Sequence, residues 1–131
     1  MQVNWGIIMS KTSREFGKEG EELADKFLRS ENFKIIERNY RFGRTGELDI
    51  IAEDPKTKQL VFVEVKSRQN LEFGDPILAI TKNKMAQLKK VANAYLFEKE
   101  IREIECRFDV ITVLFRGEIK PEIKHYVNAF Y

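Results

Sequence analysis

Four residues on two neighbouring apolar segments carry the chemistry this sequence can offer. In "LVFVEVKSR" (60–68), Glu64 and Lys66 interrupt a β-branched and aromatic run, and in "GELDIIAE" (46–53) Glu47 and Asp49 do the same. Side chains two apart on a strand share a face, roughly 6–7 Å apart. If the two segments pair as a hairpin, Asp49 and Glu64 converge on one face, and Ile50 and Val65 face the other way into a core. Two or three carboxylates at one half-buried site cannot all stay ionised cheaply; either one pKa rises or a cation offsets the repulsion. Oxygen ligands with no His or Cys suit a hard cation, Mg²⁺ or Mn²⁺. A partly desolvated Lys66 can position a water or steady a developing negative charge. Together these groups suit metal-assisted phosphodiester hydrolysis. The competing reading is a solvated sheet face with Glu64–Lys66 and Glu47–Arg44 ion pairs. E-x-K alone favours that reading; Asp49 on the preceding segment shifts the balance toward a site.

The elements that must position these groups follow from periodicity. Residues 13–30 have helical spacing, with Phe16, Leu23, Ala24, Phe27 and Leu28 on one face. Gly17 and Gly20 fall on that face, where glycine weakens a helix, so close packing against a neighbour is expected. Glu21 borders the buried face and Glu22 points nearly opposite. Strands are expected over 33–42, 46–53 and 60–68, the last two joined by the turn "DPKTKQ". The loop "NLEFGDP" leads to a helix expected over 77–99, with Ile77, Ile80, Met85, Leu88, Val91, Ala92, Tyr95 and Leu96 as its apolar stripe. "CRFDVITVLF" (106–115) is nearly continuous in apolar residues and reads as a central strand. "IKHYVNAFY" suits either an edge strand or a short terminal helix. The order α-β-β-β-α-β predicts an α/β fold whose mixed sheet is covered on both faces.

Length and composition set the bounds. A chain of 131 residues predicts one domain over 1–131, with residues 1–12 a flexible extension and Met9 a second candidate start. No apolar run approaches the ~20 residues of a membrane span, and "MQVNWGIIMSK" lacks the basic start of a secretory signal. Cys106 and His125 are the only residues of their types, which excludes an internal disulfide, Cys-based zinc sites and His-pair metal sites, and points to a cytoplasmic location. Both are expected to be structural. Net charge is only +2, but six basic and two acidic residues lie between Thr81 and Arg102, and four basic and one acidic between Lys34 and Arg44. Such stripes either bind phosphate or are ordinary solvated faces.

At these residues the chain resembles a known group. "LDII" and "EVK", with 14 residues between Asp49 and Glu64, look like the PD-(D/E)XK nuclease superfamily, the restriction-endonuclease-like fold. More closely, "GKEGEELADKFL", "ERNYRFGRTGELDIIAED", "VFVEVKSR" and "RFDVITV" resemble the YraN-like family of predicted endonucleases, which is similar to archaeal-type Holliday junction resolvases. These phrases cover roughly residues 14–115. A proline before the first acid is absent, since Leu48 precedes Asp49. The resemblance implies a three-layer α/β/α fold and a Mg²⁺- or Mn²⁺-dependent endonuclease acting on DNA, with branched or structured DNA as the favoured substrate. It implies Asp49, Glu64 and the Val65 backbone carbonyl as metal ligands and Lys66 as the catalytic lysine. Resolvase-like members use a glutamate four residues after a glycine on the first helix, a spacing that Gly17 and Glu21 match. Glu47 is an outer or second-metal residue on this reading, or a partner of Arg44. Arg41, Arg44, Ser67, Arg68, Lys82, Lys84 and Lys89 are candidate contacts to backbone phosphates, with Arg38 on the same flank. Ser67 could instead cap its strand. Lys84 stands out in the apolar stripe of the second helix, where it either snorkels to the surface or reaches a phosphate. Asp109 is expected to pair with Arg107 or support the sheet. Paired cuts would suit a homodimer, with "YVNAFY" as part of its interface. The alternative is a non-catalytic nucleic-acid-binding or interaction module on the same fold; a third reading is a soluble α/β protein with ordinary ion pairs.

Overall fold

The computed structural model describes residues 12–72 and 74–131. Helix α1 (Ser13–Ser30) is followed by strands β1 (Lys34–Phe42), β2 (Gly46–Glu53) and β3 (Leu60–Arg68). A short 3-10 turn (Pro76–Ala79) and helix α2 (Lys82–Glu98) then lead to β4 (Cys106–Arg116) and β5 (Ile119–Phe130). The five strands lie in sequence order, antiparallel except for the parallel β3–β4 pair that α2 connects. Such a crossover needs a helix on one face of the sheet, and α1 covers the other. The result is the three-layer α/β/α arrangement with a central mixed sheet expected from the sequence, and β5 takes the edge-strand option. Among the described residues no helix is long and apolar enough to cross a membrane.

Two cores hold the layers. Under α1, Ala24 and Leu28 pack on Ile50, Ala52, Val61, Val63, Val65, Ile111 and Val113, with Phe16, Leu23 and Phe27 at the margin. Under α2, Leu88, Val91, Ala92 and Tyr95 pack on Leu48, Ile51, Leu60, Phe62 and Val110, with the rest of the expected stripe alongside. Tyr40 is part of this core, and its hydroxyl donates to Glu98. The C-terminal aromatics serve the same core: Phe130 is buried and stacks on Phe108 at 4.7 Å. Val127 and Tyr131 stay exposed.

Three expectations need correction. The extension assigned to 1–12 lies outside the described residues except for Thr12, which belongs to the fold. Its hydroxyl accepts from the Glu15 N–H and the Glu15 carboxylate accepts from the Thr12 N–H, closing a capping box on α1. The helix expected over 77–99 is two elements. Asp75 caps the 3-10 turn through the Ile77 N–H, and Thr81 starts α2 afresh by accepting from the Lys84 N–H at 3.1 Å. Of the two glycines on α1, only Gly20 makes a close approach: a Cβ there would collide with Ser67 Oγ and lie 3.2 Å from Ser67 Cβ, whereas one at Gly17 meets nothing within 4 Å.

On β4, Asp109 is fully buried and takes two bonds from Arg107, one from the Asn128 N–H and a 2.8 Å contact with His125 Nε2. Arg107 also meets Asp54 at 2.8 Å. Burial alone would raise the Asp109 carboxyl, but His125, Arg107 and the Asn128 N–H outweigh it and hold it below the usual range. His125 and Asp109 therefore have the structural duties expected of them.

Candidate active site

The site forms where β2 and β3 part. Their pairing runs from Glu53–Leu60 to Ile50–Val63 and stops, so Gly46–Asp49 and Glu64–Arg68 form the two arms of a fork. Strict alternation also breaks here. Leu48 packs under α2 and Ile50 under α1, although residues two apart on a regular strand share a face. The interruption falls at Asp49. Its Oδ2 accepts from the Val65 N–H at 2.8 Å, standing in for the backbone partner that β2 no longer offers. In an extended strand a residue's N–H and C=O leave by the same edge, so the Val65 carbonyl also faces the fork.

Four carboxylates meet in this fork. Single oxygens of Glu21, Glu47 and Asp49 all lie within 4.8 Å of one another. Glu64, on the other arm, is 6% exposed; its Oε1 lies 3.9 Å from both Lys66 Nζ and Lys84 Nζ. Its Oε2 is buried with no hydrogen-bond partner among the described residues. Lys84, the lysine out of place in an apolar stripe, thus reaches Glu64 from one turn inside α2. Glu64, Glu21 and Asp49 show the strain of crowding. Burial, then the charge of Asp49, pushes Glu64 up to about 8, with Lys84 and Lys66 opposing. Burial and Asp49 likewise push Glu21 up to about 7. Burial raises Asp49 as well, against the pull of the Val65 N–H.

These groups line an open cleft of about 1180 Å³ with an acidic floor and a basic rim. Of the expected phosphate contacts, Arg41 and Arg68 line it, and Lys84 borders it through Glu64. Arg44, Lys82 and Lys89 are exposed but do not line the cleft. Ser67 lines it with its hydroxyl buried against α1 at Gly20 and without a hydrogen-bond partner among the described residues, so that oxygen is turned away from a phosphate. Glu47 pairs with Arg41 at 3.3 Å and not with Arg44, because the β1–β2 register sets Arg41 directly across from it. Glu22 leaves the fork and meets Arg38 at 2.8 Å. Sequence reasoning passed over two rim cations, Arg14 and Lys18. The signal was available: they precede Glu21 by seven and three residues and so share its stripe on the helix.

An all-oxygen donor set, three convergent carboxylates and a buried carboxylate oxygen with no donor among the described residues fit a hard divalent cation. Glu21, Glu47 and Asp49 are the convergent groups that could hold one, with Glu64 and the Val65 carbonyl beside them. The model of a family described as "Uncharacterised protein family UPF0102" matches residues 20–113. A UPF0102 protein of Pelobacter propionicus is 42% identical over 118 residues, covering 90% of this chain and 84% of its own. Another, from Geotalea daltonii, is 45% identical over 118 residues, covering 90% of this chain and 91% of its own. A third, from Geobacter metallireducens, is 43% identical over 122 residues, covering 93% of this chain and 97% of its own. The chain belongs to the UPF0102 family.

Proposed function

We propose that this protein is a metal-dependent endonuclease of the PD-(D/E)XK type that hydrolyses DNA phosphodiester bonds. The observation that carries the reading is Glu64: a nearly buried carboxylate between two lysines, facing Asp49 across a strand fork, with one oxygen unbonded. An ordinary surface ion pair would be neither so buried nor set beside three further acids. Mg²⁺ or Mn²⁺ would be held by Asp49, Glu64 and the Val65 carbonyl, with Glu47 and Glu21 beside them. When bound, such a cation supplies Lewis-acid polarisation of a phosphoryl oxygen and eases deprotonation of an attacking water.

The chain's own residues do the rest. Lys66 lies beside Glu64 to hold a water and to offset the charge that grows on the phosphate in the transition state. Glu21, raised to about 7, can accept or release a proton at its carboxylate near neutral pH. Arg41 and Arg68 on the rim hold flanking phosphates, which positions the strand without reading its sequence. The likeness to archaeal-type resolvases favours branched or structured DNA, and a homodimer would make the paired cuts such DNA requires.

The test is cleavage of linear, single-stranded and four-way-junction DNA with Mg²⁺ or Mn²⁺. Cleavage is expected to need the metal and to fall at least ~100-fold in Lys66→Ala and in Asp49→Ala. No metal-dependent cleavage of any substrate would leave a binding module on a nuclease fold, and cleavage unchanged in both variants would remove the assigned roles.

A further inference from the structure

The cleft extends beyond the four acids along α1. Arg14 and Lys18 line it, one helical turn apart, on the stripe that ends at Glu21. Both are exposed, and neither makes an ion pair among the described residues. Neighbouring acids of this helix are already engaged: Glu15 closes the capping box, Glu22 holds Arg38, and Asp25 holds Arg29 at 2.6 Å. The two cations thus line the cleft without an ion-pair partner among the described residues. Arg68 joins them from the end of β3, its guanidinium bonded among the described residues only to the Ser67 carbonyl.

Spacing identifies what this row fits. From Arg14 to Glu21 the helix rises about 10 Å at 1.5 Å per residue. Phosphates of one duplex strand recur every ~3.4 Å of axial rise, so a helix laid along the duplex axis passes about three of them over this length. A small anion would need one cation; a row leading out of an acidic floor fits a polymer of phosphates. Building on the nuclease reading, we infer that the first two turns of α1 are a backbone track. Arg14 and Lys18 hold phosphates of the nucleic-acid strand on one side of the bond at the fork. This makes α1 a two-part element: cations in its first turns to seat the strand, and Glu21 one turn later at the reacting end.

The test is the salt dependence of binding to a fluorescein-labelled 20-base-pair DNA duplex in Ca²⁺ buffer. Each phosphate contact contributes about 0.9 to the slope of log affinity against log salt. The Arg14→Ala/Lys18→Ala variant is expected to lose about 2 from the wild-type slope. Arg14→Lys/Lys18→Arg, which keeps both charges, should restore most of it. Lys26→Ala/Lys120→Ala makes the same change in net charge at exposed positions outside the cleft and should keep the wild-type slope. An unchanged Mn²⁺ isotherm shows that the fork is intact in each variant. A wild-type slope in Arg14→Ala/Lys18→Ala overturns the track and leaves the nuclease reading standing. An equal loss in Lys26→Ala/Lys120→Ala overturns it too, by reducing the effect to net charge. A wild-type protein that binds neither this duplex nor single-stranded nor four-way-junction DNA at low salt fails the nuclease reading itself.

Discussion

Replacing Glu64 by glutamine isolates what the buried carboxylate costs the fold. In the metal-free protein Glu64 titrates at about 8 against 4.5 in an unfolded chain, because burial and the Asp49 charge disfavour its anion. The folded state therefore holds a proton that the unfolded state gives up between these limits. A raised carboxyl contributes stability that is complete below 4.5 and lost as pH rises toward 8. At about 1.4 kcal/mol per tenfold of proton affinity, taking up that proton at pH 7 costs folding roughly 3 kcal/mol. Crowding shared with Glu21 and Asp49 reduces the separable part to about 2 kcal/mol. Glutamine keeps the shape and never ionises, so Glu64→Gln should be more stable than the wild type by that amount at pH 7–8. At about 4 °C per kcal/mol for a chain of this size, Tm in EDTA should rise by roughly 8 °C. At pH 4.5 the carboxyl is neutral in the folded state and half neutral in the unfolded one, a difference of only ~0.4 kcal/mol, so the two proteins should melt within about 2 °C of each other. Scanning calorimetry from pH 4.5 to 8 measures this. A difference constant across the range, or a Glu64→Gln chain that melts lower at pH 8, would refute the claim that the fork stores unfavourable charge.

Other consequences follow from the same geometry. Mn²⁺ should raise the wild-type Tm more at pH 8 than at pH 5, because Glu64 and Glu21 must release protons to bind it; an equal rise at both pH values would sink the ligand assignment. Gly20→Ala should destabilise the protein by roughly 1–2 kcal/mol in urea, since the new Cβ meets Ser67. In a Ser67→Ala background the same change should be neutral or stabilising by up to ~1 kcal/mol, as alanine favours a helix; equal costs in both backgrounds would mean that Ser67 is not the obstacle. Asp109→Ala strands Arg107, His125 and the Asn128 N–H and should cost about 3–5 kcal/mol of unfolding free energy. A loss below ~1 kcal/mol would show that the cluster is not a closed network.

Much of this architecture is legible in the residues, and the failures share a cause. Strands β2 and β3 stand where the β-branched runs place them, with the same limits, and α1 is announced by its apolar face and by Thr12 and Glu15. The start of α2 was hidden because Ile77 and Ile80 continue its apolar stripe through a break; only Thr81, a good cap in mid-stripe, betrays it. Arg41 and Arg44 both lie near Glu47 in sequence, and register decides between them. Gly17 and Gly20 look alike on a wheel, yet only Gly20 has a strand against it. Arg14 and Lys18 do not stand out along the chain, where Glu15, Glu19, Glu21 and Glu22 surround them, and emerge only when charge is sorted by helix face. Glu47, Asp49 and Glu64 follow from type and spacing and Glu21 from the resemblance, but the rule of two residues per face does not foresee the break at Asp49. Local patterns state which groups face inward; which groups meet depends on where two strands stop pairing.

The separation of β2 from β3 has one more consequence. Beyond Ile50–Val63 the two arms are joined by a side chain, through the bond from the Val65 N–H to Asp49. Anything that draws electron density from the Asp49 carboxylate must therefore weaken the bond at that amide. The Val65 amide is thus a built-in reporter: its nuclear magnetic resonance shift and its exchange with solvent register the state of the fork directly. Occupancy of the fork can be followed there, one backbone hydrogen at a time, without a substrate and without a turnover.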